Sequence, residues 1–108
     1  MEMIGRTIYN PEGNFGVSLK FILRGDLLPT YIIKFGIKEN VNDDNYIINK
    51  TLNLTEEDGK FSFEFKLTKE ESDKLKEGTY VYGIKQYRDD ELLNDIIDKA
   101  EFEVIKGV

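Results

Sequence analysis

Hydrophobic and polar residues alternate with a period of two along most of this 108-residue chain, which is the pattern of half-buried β-strands. The clearest such segment is 61–67, where phenylalanines at every second position alternate with serine, glutamate and lysine. Strands with the same or a weaker pattern are predicted at residues 3–9, 15–23, 31–37, 46–53, 80–84 and 102–104, with a separate short one around 92–97. Several short strands without a long helical pattern predict an all-β fold.

The alternation also predicts which side chains form the core. On a strand with one buried face, every second residue points inward. We therefore expect the following residues to face the core: Phe15, Val17, Leu19, Phe21, Leu23, Ile33, Phe35, Ile37, Ile48, Leu52, Phe61, Phe63, Phe65, Leu67, Tyr80, Tyr82, Ile84, Phe102 and Val104. Tyr31 and Tyr46 are expected in the core or at the sheet rim.

Turn-forming residues separate the predicted strands. Asp58 and Gly59 predict a tight hairpin, because both residue types accept a positive φ at low cost. The polar segment 88–91 predicts a second hairpin tip, and segments 10–14 and 40–45 predict longer connections.

The segment 90–100 fits two different secondary structures. Leu93, Ile96, Ile97 and Ala100 have the spacing of one face of an amphipathic helix. The same residues also fit a strand that follows the predicted hairpin tip. We favour the hairpin and strand over the helix.

One short helix is predicted near residues 69–76. Thr68 and Glu71 have the spacing of a capping box, in which each side chain bonds an otherwise unpaired backbone N–H of the first turn. Glu70 adds negative charge near the positive end of the helix dipole. Gly78 is expected to end the helical segment in a left-handed conformation.

A tyrosine-rich strand follows this helix. Leu75 and Tyr80, with Gly78 between them, resemble the tyrosine corner of immunoglobulin-like domains, and Tyr82 continues the same inward register. Such a crossing carries the chain from one sheet of a sandwich to the other. The predicted fold is an immunoglobulin-like antiparallel β-sandwich of about seven strands, with residues 1–108 forming a single domain.

Composition and charge exclude several kinds of partner and of catalytic chemistry. Acidic residues outnumber basic ones by 21 to 15, a net charge of −6, which argues against nucleic acid or an anionic membrane as a partner. Histidine and cysteine are absent, so the sequence lacks the commonest general base, the thiolate nucleophile and the best transition-metal ligands. Since no apolar run approaches the roughly 18 residues of a membrane span, none is expected. The sequence predicts no catalytic site and no cofactor.

Two features that contain aspartate are candidate binding sites. Arg24, Gly25 and Asp26 spell the tripeptide of integrin ligands, but a turn after the preceding strand explains them better. The acidic loops, Asp43 with Asp44 and a second group of Asp89, Asp90 and Asp95, lack the regular ligand spacing of a calcium loop. Solvated turns and loop tips are the preferred interpretation of both.

The outward positions of the strands suggest an interaction surface. Tyr87 lies off the inward register of its strand and is the best candidate for an exposed aromatic residue at an interface. Gly16, Gly36 and Gly83 are also predicted at outward strand positions. A single such glycine is typical of a bulge or a close backbone approach. Three of them predict that part of the outer surface contacts something flat.

Three stretches of the sequence occur in an order typical of one family. They are Leu23-Arg24-Gly25-Asp26, the run from Leu67 to Ile84, and the run from Asp95 to Val104. Together they resemble the N-terminal β-sandwich module of bacteriophage and prophage tail proteins, typified by the upper baseplate protein of lactococcal phages. The resemblance spans about residues 15 to 106. Gly83, Ser72 and Ala100 depart from the aspartate, threonine and glycine that are usual there.

The resemblance implies a non-enzymatic structural role in a phage tail or baseplate. The expected partners are other tail and baseplate proteins, with self-association allowed, and the expected location is the virion after synthesis in the bacterial cytoplasm. Arg24, Gly25 and Asp26 then count as a fold signature. The alternative function is a carbohydrate-binding or adhesin-type domain on a bacterial surface, which needs an exposed aromatic cluster or a calcium site. A small enzyme is disfavoured by the missing histidine and cysteine.

Overall fold

The computed structural model describes residues 1–23 and 31–107, which are built mostly of β-strands. Two sheets form, of six and three strands, and one short helix lies between strands of different sheets. The elements of the described residues are β1 (Glu2–Ile4), β2 (Thr7–Pro11), β3 (Leu19–Leu23), β4 (Ile32–Lys38), β5 (Ile48–Asn53), β6 (Thr55–Glu57), β7 (Lys60–Phe65), α1 (Lys69–Asp73), β8 (Gly78–Arg88) and β9 (Glu91–Ile105). The predicted all-β class is confirmed.

The larger sheet is mixed. Its strand order is β1-β2-β9-β8-β4-β5, and β2 pairs with β9 in parallel, whereas the other neighbours are antiparallel. The smaller sheet, β3-β7-β6, is antiparallel throughout. The expectation of a wholly antiparallel fold is therefore wrong for this one pair. Since most of the chain separates β2 from β9, no hairpin turn forces them to run in opposite directions.

The described residues form nine strands where about seven were predicted. The predicted first strand, 3–9, is a hairpin of β1 and β2 around the turn at Gly5 and Arg6, with β1 at the sheet edge. The other addition is β6, three exposed residues whose lack of inward-facing apolar side chains gives no strand signal. The tight turn at Asp58 and Gly59 joins β6 to β7 with φ values of +50° and +75°, as predicted.

The segment 15–23 begins its strand later than predicted. Only β3, from Leu19 to Leu23, pairs with β7, and Phe15 and Val17 are 49% and 44% exposed. Gly16 has a φ of +77° outside any strand, and its N–H donates to the carbonyl of Leu67 at 2.8 Å. The left-handed conformation of Gly16 interrupts the extended backbone. The alternating residues around it therefore do not lie on two faces of a strand.

The segment 90–100 is a strand, so the helical alternative is wrong. β9 runs without a break from Glu91 to Ile105 and joins the two strands predicted there. The hairpin tip at 88–91 is confirmed, with Asp89 at a φ of +55°. Register shifts between β8 and β9 show that β9 bulges in this region, which disturbs the alternation expected of a flat strand.

Aromatic and aliphatic side chains from both sheets form one core cluster. The ring of Phe35 stacks on that of Phe65 in the other sheet, with centroids 3.7 Å apart, and on that of Tyr82 at 5.2 Å. Phe102 meets both Phe65 and Tyr82 edge-on. Full burial of each side chain of this size stabilises the fold by about 1.5–3 kcal/mol. The predicted inward faces of 33–37, 63–67, 80–84 and 102–104 are confirmed.

The helix α1 has the predicted start but a different end. Thr68 Oγ1 accepts from the N–H of Glu71, and the Glu71 carboxylate accepts from the N–H of Thr68. The helix stops at Asp73, with Lys74 as its C-cap, instead of near residue 76. Gly78 therefore opens β8 and does not cap the helix. The buried side chain of Leu75 anchors the connection between them. The described residues contain no helix long and apolar enough to cross a membrane.

Candidate interaction surface on the larger sheet

Two glycines lie opposite each other in the middle of the larger sheet. Gly36 of β4 pairs with Gly83 of β8. Their strand neighbours Phe35, Ile37 and Ile84 point into the core, so both glycines belong to the outer face. Because neither residue has a side chain, other groups can approach the backbone closely at this pair. The outward position predicted for these two glycines is confirmed, whereas Gly16 lies in no strand.

Each glycine leaves room for a different neighbour. A Cβ atom on Gly36 would overlap the ring of Tyr46, which crosses over the strand. A Cβ atom on Gly83 would lie 3.0 Å from the backbone oxygen of Asp98 and 3.3 Å from that of Ile97. The second approach results from the bulge of β9, which begins after the pair formed by Tyr82 and Ala100. Glycine is therefore required at both positions. The Tyr46 ring leaves no room for a side chain at Gly36, and the bulged backbone of β9 leaves little room for one at Gly83.

Two tyrosines lie on this outer face, each beneath a lysine. The ammonium of Lys38 is 4.7 Å from the centroid of the Tyr46 ring, and that of Lys34 is 4.6 Å from the centroid of the Tyr87 ring. At this distance a cation is attracted to the negative face of an aromatic ring. These contacts hold both ammonium groups on the sheet surface.

The structure revises the predictions for the tyrosines. Tyr87 is outward-facing and half-buried, so its position off the inward register is confirmed. Tyr46 is 40% exposed beside the edge strand β5, so the core placement is wrong and the alternative at the sheet rim is retained. It precedes β5, which begins at Ile48, and strand alternation therefore does not govern its side chain. Tyr31 packs partly buried against the core, in agreement with the prediction.

A shallow groove of about 200 Å³ runs along this face. Lys38, Lys85 and Lys99 line it together with Asp98. A smaller adjoining recess of about 110 Å³ is lined by Lys34 and again by Lys85. We call this whole surface the tyrosine–lysine face and define it as Lys34, Gly36, Lys38, Tyr46, Gly83, Lys85, Tyr87 and Lys99.

The remaining predicted motif residues lie elsewhere. Arg24, Gly25 and Asp26 are outside the described residues. The other six lie on the crossing from β7 to β8 or at the start of β8: Thr68, Glu71, Leu75, Gly78, Tyr80 and Tyr82. Of these, Tyr82 is among the residues that line the groove, although its side chain is buried in the core.

The two tyrosines near the start of β8 form hydrogen bonds between their hydroxyl groups and the backbone of other segments. Tyr80 bonds the backbone of Lys76, and Tyr82 donates to the carbonyl oxygen of Arg6 in the β1–β2 turn. Burial raises the pKa of Tyr82 to about 12, although the positive charge of Arg6 acts in the opposite direction. Both tyrosines therefore tie separate loops to the strand that crosses the centre of the sheet.

Glu71 joins the helix to the edge of the larger sheet. Its carboxylate accepts from the ammonium of Lys50 at 2.9 Å, and the same ammonium donates to the carbonyl of Lys66 at 2.6 Å. Burial raises the pKa of the Glu71 carboxyl. The hydrogen bonds from Thr68 and Lys50 and the positive charge of Lys50 together lower it by more, so the pKa is below its ordinary value. This pair has a structural role in the crossing.

The carboxylates of the described residues do not form a metal-binding cluster. Within residues 1–23 and 31–107, no group of three or more acidic side chains could hold a metal ion. In one of the loops considered for calcium, the carboxylate of Asp43 accepts from the backbone N–H of Asn40 at 3.0 Å. This is the bonding of a solvated turn.

Sequence reasoning missed Tyr46 and the lysines of the tyrosine–lysine face. The lysines occupy polar positions of the strand pattern, where solvent exposure is the ordinary explanation. Their common location depends on β4, β8 and β9 being sheet neighbours, and the order of strands within a sheet is not a local property of the sequence. The signal that was available was the outward glycine on each of two strands.

Comparisons with known protein families, with curated proteins and with solved structures found no match to this chain.

Proposed function

We propose that this chain is a non-enzymatic assembly module of a phage or prophage tail or baseplate, and that it acts through protein–protein contacts made by its tyrosine–lysine face. The phage assignment is supported by the sequence resemblance, above all by the ordered run from Leu67 to Ile84. The docking role is supported by one observation, the shallow groove on the outer face of the larger sheet, which lies beside two lysine-covered tyrosines.

We also propose that the two sheets form an immunoglobulin-like sandwich. The strand order in both sheets corresponds to that of such domains: β9-β8-β4-β5 in one sheet and β3-β7-β6 in the other. In this correspondence β8 takes the place of strand F of the immunoglobulin fold. Tyr80, near the start of β8, bonds backwards to Lys76 at the crossing between sheets, as a tyrosine corner does. A rigid two-sheet frame holds the outer face in one shape for docking.

Assembly accounts for the face better than catalysis does. Tyrosine is enriched at protein interfaces because it combines a large apolar ring with a hydroxyl group. Tyr46 and Tyr87 supply such rings, and the lysines around them supply positive charge. A catalytic site would need an activated nucleophile or paired acids and bases, and the chain has no histidine or cysteine to provide them.

A carbohydrate-binding or adhesin role is the second candidate, because two tyrosines share one face. Sugar binding by stacking requires free aromatic ring faces. Here the ammonium groups of Lys38 and Lys34 lie over the rings of Tyr46 and Tyr87 and occupy one face of each. This arrangement favours a protein partner over a sugar.

Co-purification with the products of the genes adjacent to the gene for this chain tests the proposal. We expect the wild-type chain to retain at least one of them, and the double variant Tyr46→Ala/Tyr87→Ala to lose it. Phe15→Ala is the matched control, because Phe15 is a similarly exposed aromatic residue outside the face. Failure of the wild-type chain to retain any tail protein would overturn the assembly role. Glycan-array binding that disappears in the double variant would support the adhesin role instead.

A further inference from the structure

We infer that the part of the partner that contacts the tyrosine–lysine face is an acidic, extended protein segment. This inference rests on the proposed function, since it names the chemistry of the partner in the same docking event.

The charge of the face is opposite to that of the chain. The chain as a whole has a net charge of −6. The groove and its adjoining recess are nevertheless lined by Lys34, Lys38, Lys85 and Lys99, with Asp98 as the one carboxylate among their lining residues. In the part of the chain that the structure describes, none of these four lysines takes part in a salt bridge. The positive charge of the face is thus available to a partner.

Two of the lysines repel each other. Lys34 of β4 and Lys85 of β8 are direct cross-strand partners on the outer face. Like charges directly opposite each other destabilise a sheet. Asp95 lies opposite Lys85 on its other side, in β9, but it forms no salt bridge with Lys85. A carboxylate from a partner placed between Lys34 and Lys85 would relieve this repulsion.

The lysine heads are held in place before a partner arrives. Lys34 and Lys38 rest on the rings of Tyr87 and Tyr46, which limits the conformations of two otherwise mobile side chains. Less side-chain entropy is then lost on binding a carboxylate. The groove beside the Tyr46 ring, which Gly36 and Gly83 help to line, gives a bound segment room to approach the sheet.

The size and surroundings of the groove favour a protein segment over other anions. A volume of about 200 Å³ is below the roughly 300–1,000 Å³ of sites that enclose small molecules. It suits one or two side chains of a segment lying across the face. A long polyanion such as nucleic acid would be repelled by the net charge of the rest of the chain, whereas a short acidic segment meets the lysines locally.

Titration of the isotope-labelled full chain with a peptide of alternating glutamate and serine tests the inference by NMR. We expect saturable shifts of the backbone amides of Gly36 and Gly83 and of their strand neighbours. The same peptide with lysine in place of glutamate should cause none. Polygalacturonate serves as a carbohydrate that carries the same carboxylate charge. Tighter binding of polygalacturonate than of the glutamate peptide, or no saturable shift with the peptide, would overturn the inference.

Charge-reversal variants test whether the lysines of the face bind the peptide. We expect Lys34→Glu/Lys85→Glu to weaken peptide binding by about tenfold or more, as loss of complementary charge does. The matched control, Lys20→Glu/Lys60→Glu, makes the same charge change on exposed residues of the smaller sheet. It should alter binding by no more than about twofold, since solvent ions screen distant charges. Equal effects of both variants would overturn the inference.

The same variants separate this inference from the assembly role. In one outcome, Lys34→Glu/Lys85→Glu retains the tail protein as well as the wild type does, while Tyr46→Ala/Tyr87→Ala loses it. The inference of an acidic segment is then wrong, and the assembly role stands. If the charge-reversed variant and the tyrosine variant both lose the tail protein, and the Lys20→Glu/Lys60→Glu control keeps it, both are supported.

Discussion

The hydroxyl of Tyr80 lies between the two polar backbone groups of Lys76, four residues earlier in the chain. It accepts from the Lys76 N–H at 3.0 Å and donates to the Lys76 carbonyl oxygen at 2.9 Å. These bonds close the turn that leads from α1 into β8. Because β8 is hydrogen-bonded to both β4 and β9, this turn sets where the central strand of the larger sheet begins.

Tyr80→Phe should lower the free energy of unfolding by about 1 kcal/mol, because it removes these hydrogen bonds while it keeps the buried ring. Urea denaturation followed by circular dichroism measures the change. Tyr87→Phe is the control, since within the described residues the Tyr87 hydroxyl makes no hydrogen bond, and it should leave the stability unchanged. An unchanged midpoint for Tyr80→Phe would contradict the importance of this turn.

The alternating segments of β4, β7 and β8 predicted their buried faces correctly because each strand has one face in the core. Ile33, Phe35, Phe63 and Ile84 are all buried as the period of two requires. Burial of apolar side chains is the largest favourable contribution to folding, so it leaves a strong signal in the sequence.

The predictions failed where backbone geometry overrides the pattern. Gly16 adopts a positive φ, so the strand begins only at Leu19, although Phe15 and Val17 continue the alternation in the sequence. Tyr46 has an aromatic side chain of the kind expected in a core, but it lies in the connection before β5. Neither the turn geometry nor the neighbouring strand can be deduced from local hydrophobicity.

The candidate face was predictable only in part. Gly36, Gly83 and Tyr87 were identified from their outward positions, and the structure places all three on one sheet face. Their contacts with Tyr46 and Lys34 depend on long-range strand pairing. Such pairing brings together residues far apart in the sequence, so a single sequence without its fold does not reveal it.

Tyr82 should make stability depend on pH in the alkaline range. Its folded pKa is raised to about 12, above the ordinary value of about 10 in the unfolded chain. Its contribution is therefore fully present below pH ~10 and is lost as the pH rises through the folded pKa. Tyr82→Phe should lower stability by about 1 kcal/mol at neutral pH.

Urea melts of wild type and Tyr82→Phe between neutral pH and about pH 11 measure this effect. The stability difference should shrink by about 1 kcal/mol per pH unit above pH ~10, because only the wild-type unfolded chain ionises a tyrosine at this position. A difference that stays constant with pH would show that the folded protein does not keep Tyr82 protonated.

Glu71 should make stability depend on pH in the acidic range. Its folded pKa is below the ordinary value, so its charge stabilises the fold above pH ~4.3 and ceases to do so as the pH falls through the folded pKa. Glu71→Gln keeps a capping-box side chain and removes only the charge that pairs with Lys50. We expect a loss of about 0.5–1 kcal/mol at neutral pH.

Thermal melts from neutral to strongly acidic pH measure the Glu71 effect. The difference between wild type and Glu71→Gln should disappear at low pH, where both side chains are uncharged. Glu77→Gln, which changes an exposed glutamate outside the helix, is the control and should show little effect at any pH. A difference that persists at low pH would assign the loss to packing instead of charge.

Alanine substitutions at the two glycines of the tyrosine–lysine face should have different consequences. In Gly83→Ala the new Cβ meets the backbone oxygen of Asp98 at 3.0 Å, and a strand backbone cannot move aside without disturbing its pairing. We expect this change to destabilise the protein by about 1–3 kcal/mol, as overpacking does. In Gly36→Ala the Cβ meets the ring of Tyr46, which is 40% exposed and can swing outward.

Gly36→Ala should therefore change stability by less than about 1 kcal/mol, since the lost ring contact is offset by the smaller backbone entropy of alanine in the unfolded chain. Its main effect should be on the face itself, because the displaced Tyr46 ring no longer lies beneath Lys38. Urea melts compare the two stabilities, and NMR ring-current shifts at residue 36 and its neighbours detect the movement of Tyr46. Equal destabilisation by both substitutions, with the Tyr46 ring unmoved, would contradict the different roles assigned to the two glycines.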